Sequence, residues 1–212
     1  MTTTSIETPG GPGLLYRADA AAPVATLLVG HGAGAGVDTA DLEALADQLP
    51  GRGITVVRFE QPWKVAGRKI AGPPASLDVA FTAAAAALER TVPLIVAGRS
   101  AGARSAARTA GALGAAGLLA LAFPLHPPGK PERSRLPELL DAGVPTRVIQ
   151  GERDAFGRPE EFPDDVDVDV VPVAGADHSF KVAKSAPTDR EQALATLVEA
   201  AATWILAQVA RS

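Results

Sequence analysis

Apolar residues follow two rhythms along this chain. Short unbroken runs, such as "VATLLVG" and "PLIVAG", alternate with segments where apolar side chains recur every three or four positions. The runs read as buried strands and the periodic segments as amphipathic helices. Strands are expected at Val24 to Gly30, Ile54 to Phe59, Pro93 to Gly98, Gly117 to Phe123, Thr146 to Gly151 and Val166 to Val173. The last alternates Val with Asp and carries Pro172, the pattern of an edge strand with one wet face. Between the strands, "DLEALADQL" spaces Leu42, Leu45, Ala46 and Leu49 as a helix, stopped by Pro50 and Gly51. "SLDVAFTAAAAALER" puts Leu77, Ala80, Phe81, Ala84 and Leu88 on one helical face, and another helix follows Ser100. A C-terminal helix opens at Thr188-Asp189-Arg190-Glu191, a capping-box pattern, and is expected to bury Leu194, Leu197, Val198, Ala201, Ile205 and Val209.

Strands alternating with helices predict an α/β fold, a three-layer sandwich whose mostly parallel, twisted sheet carries helices on both faces. No internal repeat or linker divides the 212 residues, so a single domain over 1–212 is expected. In such sheets ligands bind beyond the carboxyl ends of the strands, which directs attention to residues just after each strand.

Four strand ends carry chemistry. After "LIVA" comes Gly98-Arg99-Ser100-Ala101-Gly102, then a helix. G-x-S-x-G between strand and helix is the nucleophile-elbow pattern; small residues two before and two after the serine prevent backbone collisions on a strained turn. With 21 glycines and eight serines, chance placement gives only about 0.08 such matches. After "TRVIQ" comes "GERD", where Asp154 could orient an imidazole; Glu152 is the rival, with the longer side chain. After the last strand comes "AGADHSF", with His178, one of three histidines; the adjacent Asp177 is poorly placed to turn towards it. Ser100, Asp154, His178 is the chain order of the α/β-hydrolase triad. After the first strand, "VGHGAGAG" is a glycine-rich loop able to bring backbone N–H groups against an oxyanion, with Ala33 or Gly34 as one donor and Ala101 as the other. His31 is expected to brace that loop.

The same loop satisfies a dinucleotide fingerprint at Gly30-x-Gly32-x-x-Ala35, with Glu60 closing the next strand. The helix pattern begins only near Asp38 to Asp41, too late for that motif, and the reading leaves Ser100, Asp154 and His178 without a role.

Taken together, "LLVGHGAGAG", "LIVAGRSAGAR", "VPTRVIQGERDAFG" and "AGADHSF" resemble the oxyanion, nucleophile, acid and histidine blocks of α/β-hydrolases, in order and over nearly the whole chain. "HGAGAG", "GRSAGAR", "PLHPPGKPERSR" and "DHSFK" resemble more narrowly a family of small lidless hydrolase-like proteins. That family is related to dienelactone hydrolases and includes a eukaryotic testis-expressed protein and the hydrolase-like domain of a chromatin-complex subunit. The resemblance implies Ser100 as nucleophile, His178 as base and Asp154 as acid in a serine hydrolase of a small ester, lactone or thioester, needing no metal or organic cofactor. Ala101 and Ala103 stand where the family usually carries a bulky residue and a glycine. A hydrolase-fold interaction module without catalysis is the alternative from another class.

No inter-strand segment is long enough for a large helical cap; the longest are Glu60 to Ser76 and Pro124 to Val144. An open, shallow cleft is therefore expected. Gly32, Gly34, Arg99, His126 and Trp63 are candidates to line it; His126 could instead brace its loop, and Trp63 could be a core anchor. Lys64, Arg68, Lys69 and Lys130 could add positive charge around the cleft. Composition narrows the setting. A net charge of −4 gives no footprint for nucleic acid or an anionic membrane. No cysteine is present, which excludes thiolate catalysis and disulfides. No signal-peptide pattern or uncharged apolar span is evident, so a cytoplasmic protein with a small-molecule partner is expected.

Overall fold

The computed structural model describes residues 1–186 and 188–211. Eight strands form one sheet: β1 (Thr2–Thr8), β2 (Gly11–Ala18), β3 (Ala25–Gly30), β4 (Ile54–Glu60), β5 (Leu94–Arg99), β6 (Gly117–Leu121), β7 (Thr146–Gly151) and β8 (Asp169–Val173). Their order is β1-β2-β4-β3-β5-β6-β7-β8. From β4 to β8 all pairings are parallel; β1 and β2 join antiparallel at one edge. Among the described residues six α-helices complete the fold, α1 (Ala40–Gln48), α2 (Pro62–Val65), α3 (Pro74–Ala86), α4 (Ala101–Thr109), α5 (Leu136–Leu140) and α6 (Arg190–Val209), with short 3-10 turns at Pro50–Arg52 and Pro159–Glu161.

The unbroken apolar runs are strands buried on both faces, as parallel sheets require. Alternate side chains of each strand enter opposite layers. Leu27, Val29, Ile95, Ala97, Leu119 and Leu121 pack with α1 and α6 through Leu42, Leu45, Leu197 and Ile205. Leu28, Val57, Val96, Leu118 and Ala120 pack with α3 and α4 through Phe81, Ala84, Ala103 and Ala106. The expected three-layer α/β sandwich is thus the observed one, and no cap covers the carboxyl end of the sheet among the described residues.

Several details differ from expectation. The β1–β2 hairpin leaves no apolar signal in the sequence, because "TTTSIET" is exposed along most of its length and lacks an apolar face. β8 begins at Asp169 rather than Val166: its partner β7 starts at Thr146, and the ladder opens at Arg147↔Asp169, where the arginine Nε also donates to the carboxylate at 2.8 Å. The cap of α6 is Asp189, not Thr188. The Asp189 carboxylate accepts from Gln192 N–H at 2.8 Å and the Gln192 side chain accepts from Asp189 N–H at 3.0 Å, whereas the Thr188 hydroxyl donates to the Ala174 carbonyl. The buried face of α6 runs through Ala193, Leu197, Val198, Ala201, Trp204 and Ile205; Leu194 and Val209 are only half-buried.

Candidate active site

β5 ends at Arg99 and α4 begins at Ala101, so Ser100 alone makes the turn. Its backbone sits at φ 55°, ψ −113°, a left-handed conformation costing a non-glycine residue about 1–3 kcal/mol. The flanking glycines are sterically required. A Cβ on Gly98 would lie 2.1 Å from the Gly102 carbonyl carbon, and one on Gly102 would lie 2.5 Å from the Gly30 carbonyl oxygen. The first helical bond of the turn runs from Arg104 N–H to the Ser100 carbonyl. The amides of Ala101, Gly102 and Ala103 therefore have no helix carbonyl to bond, and the helix dipole favours negative charge in front of them.

The arginines of "GARSAART" lock this helix in place. Arg104 forks onto Glu138 of α5, and Arg108 forks onto Asp78 of α3 while also reaching Glu138. Burial alone would raise the Glu138 carboxyl, but the two guanidiniums outweigh it and hold the group below its ordinary value.

Loops after β7 and β8 bring the other two residues to the serine. His178 Nδ1 donates to Asp154 Oδ2 at 2.7 Å, leaving Nε2 to accept from the Ser100 hydroxyl at 2.9 Å. Asp154 is fully buried, a costly place for a carboxylate without partners. Its oxygens accept from the Gln150 side chain at 3.0 Å and from Phe156 N–H at 2.8 Å in addition to the imidazole. The Phe156 ring stacks on His178 with centroids 4.2 Å apart. Gln150 and Phe156 escaped the sequence reading; only their place within four residues of Asp154 marks them. The rival acid Glu152 is exposed and accepts from Gly175 N–H. Asp177 turns back on its own loop, accepting from Ser179 and Lys181 N–H.

The loop after β3 faces Ser100 from the opposite side. Ala33, Gly34 and Ala101 line an open groove of about 530 Å³ together with Ile70, Ala71, Pro74, Leu77 and the cations Lys69, Arg104 and Arg108. His31 supports this loop from below: its Nδ1 donates to the Gly32 carbonyl and its Nε2 accepts from Gln61 N–H. Burial pushes the His31 imidazole below its usual value, against the opposing pull of the Gly32 carbonyl. Trp63 is buried with its ring 5.5 Å from that of His31, as a core anchor would be; its edge also borders a smaller pocket with Gly34, Lys64 and Arg68.

Three candidates do not reach the groove wall. Gly32 is buried beneath it. Arg99 turns under the site, donating to the His178 carbonyl at 2.8 Å. His126 braces its loop with both ring nitrogens, Nδ1 on the Pro127 carbonyl and Nε2 on Glu161; the carbonyl first, then the carboxylate, raise its pKa. The dinucleotide alternative fails on geometry. α1 begins only at Ala40, so the glycines after Gly30 do not open onto a helix N-terminus.

A mostly parallel sheet with a serine on a strand–helix elbow, hydrogen-bonded through histidine to a buried aspartate, defines the α/β-hydrolase class. The chain belongs to that family: the model for the alpha/beta hydrolase domain matches residues 23–206. No curated protein matches it in sequence. Solved structures share the fold. One from Xanthomonas campestris, described as an α/β serine hydrolase without a lid, is 22% identical with TM-score 0.71, over 96% of this chain and 94% of that one. Est1E from Butyrivibrio proteoclasticus is 15% identical with TM-score 0.74, over 99% and 100%. The esterase domain of a Rhodothermus marinus protein is 14% identical with TM-score 0.66, over 96% of each chain.

Proposed function

We propose that this protein is a serine hydrolase that cleaves a small carboxylic ester, lactone or thioester through an acyl-enzyme. The observation that carries the reading is the continuous hydrogen-bonded line Asp154–His178–Ser100, whose last residue directly precedes Ala101 in the wall of an open groove. Ser100 Oγ attacks the substrate carbonyl carbon as its proton passes to His178 Nε2. The Asp154 carboxylate holds the imidazole by Nδ1 and stabilises the imidazolium that forms. The N–H of Ala101, at the first position of α4, and that of Ala33 are the donors for the tetrahedral oxyanion. The imidazolium gives its proton to the leaving alkoxide or thiolate, or to the ring-opened alkoxide of a lactone. Water then attacks the acyl-enzyme, its proton going to Nε2, and Ser100 recovers its own as the acid departs. None of these steps calls for a metal or organic cofactor. The uncapped groove favours small or exposed esters over long buried acyl chains, in keeping with the resemblance to dienelactone hydrolases and the small lidless group. The absence of cysteine fits a cytoplasmic setting.

The test is direct. A fluorophosphonate probe is expected to label Ser100, and the protein to hydrolyse activated short-chain esters. Ser100→Ala should abolish labelling and lower turnover by about 10⁴-fold or more, with the circular dichroism spectrum unchanged. Equal turnover with and without the substitution would sink the mechanism; folded wild-type protein that neither labels nor turns over would favour an interaction module on the same fold.

A further inference from the structure

Arg99 stands next to the serine, yet its guanidinium is buried and points away from the groove. It occupies a slot between the loop after β8, the groove loop and the start of α1. From the loop after β8, the His178 carbonyl and the Ser179 hydroxyl accept from its Nη2 at 2.8 and 3.0 Å. From α1, just beyond the groove loop, the Asp41 carboxylate lies 3.8 Å from its Nε, and Asp41 is itself only 3% exposed. From the groove loop, Gly32 leaves the room: a Cβ there would sit 3.0 Å from Nη1. The pair is loosely made, since Arg99 Nε and Asp41 Oδ2 are both buried without a hydrogen-bond partner.

Removing two charges from water costs more than such a contact returns, and apolar residues of similar volume usually stabilise a core as well or better. Stability is therefore a poor account of this pair, whereas geometry offers one. Arg99 is fixed at its backbone to β5, one residue before Ser100, and at its head to the backbone of His178. It is a short strut between the two partners of the Ser100–His178 hydrogen bond. We infer that Arg99, with Asp41 beside it, is a positioning residue that holds His178 at its working distance from Ser100.

The inference rests on the serine-hydrolase reading, but its test can be separated from it. The double substitution Asp41→Leu with Arg99→Met removes both charges and keeps an apolar filling. Its midpoint of thermal unfolding should stay close to that of wild type. The rate of fluorophosphonate labelling and kcat on an activated ester should each fall by about 10- to 100-fold, the scale of a 1 Å misplacement, with KM little changed. Arg99→Lys keeps a charge but cannot span Asp41 and His178 together; it should show a smaller loss in the same direction, and it carries the test should the double variant not fold. A structural role alone would move the unfolding midpoint and leave labelling of the folded protein untouched. Nitrogen-15 NMR of the His178 ring reads position without chemistry: the downfield Nδ1–H signal of the bond to Asp154 should be weakened or lost in the variants. If folded variants keep both the wild-type labelling rate and that signal, the inference is overturned. If wild-type Ser100 ignores the probe while the signal still depends on Arg99, the hydrolase reading fails and the strut stands.

Discussion

On the His178 side of Ser100 the supports are buried polar contacts. Asp154 accepts three hydrogen bonds in a buried pocket, Phe156 stacks on the imidazole, and Arg99 grips the loop from below. On the Ala33 side the structure is open. The groove is bounded by backbone, by Ile70, which is 82% exposed, and by cations. A change in the first wall leaves a buried polar group without its partner. In the second, the exposed Lys69 and Ile70 can change without disturbing the core. Reaction type and substrate choice are thus written in different materials: the first in buried polar contacts, the second in an exposed loop.

Substitutions should separate the two walls, the largest effects coming from the buried one. Asp154→Asn offers the imidazole the wrong partner and is expected to lower kcat by about 10³- to 10⁴-fold, measured on an activated ester with the fold checked by circular dichroism. An activity within tenfold of wild type would mean that the buried carboxylate does not serve the histidine. Next comes Gly98→Ala, whose methyl group would overlap the backbone of α4. A loss of about 3 kcal/mol is expected, read by urea denaturation, with activity falling in the protein that still folds. On the open wall, Ile70→Ala should leave thermal stability unchanged and raise KM for apolar short-chain esters only about two- to fivefold. A drop in kcat as large as that of Asp154→Asn would erase the distinction between the walls.

The smallest effect concerns pH. His31 is held neutral by burial, so below about pH 6.5 the unfolded chain takes up a proton that the folded chain resists. The contribution is fully present above that value and is lost as the pH falls. Wild type should therefore lose thermal stability between about pH 7 and 5 more steeply than His31→Gln, in which the amide oxygen can still accept from Gln61 N–H. Parallel profiles would remove His31 from the acid response.

What was legible in the sequence follows the same division. Strands buried on both faces, such as Leu94–Arg99, announce themselves because water is excluded from every side chain. Thr2–Thr8 does not, because an exposed edge strand needs no apolar face. Ser100, Asp154 and His178 could be picked out because each follows a strand at the same end of the sheet. The supports could not. Gln150 lies inside a strand, Phe156 reads as one more loop aromatic, and Asp41 looks like an acid favouring a helix N-terminus until its burial against Arg99 is seen. The direction of Arg99 was misleading for the same reason. Adjacency to the serine pointed to the substrate, but the side chain leaves the strand on the side where Gly32 and Asp41 make room.

The bare carboxyl edge of the sheet has a kinetic corollary. An enzyme whose cover is hinged must wait for it to lift, and many such enzymes quicken abruptly at an oil–water boundary that holds it open. Here no cap stands over the carboxyl end of the sheet among the described residues. On the proposed reading, its velocity should follow dissolved substrate smoothly through the onset of micelle formation, without lag and without interfacial activation.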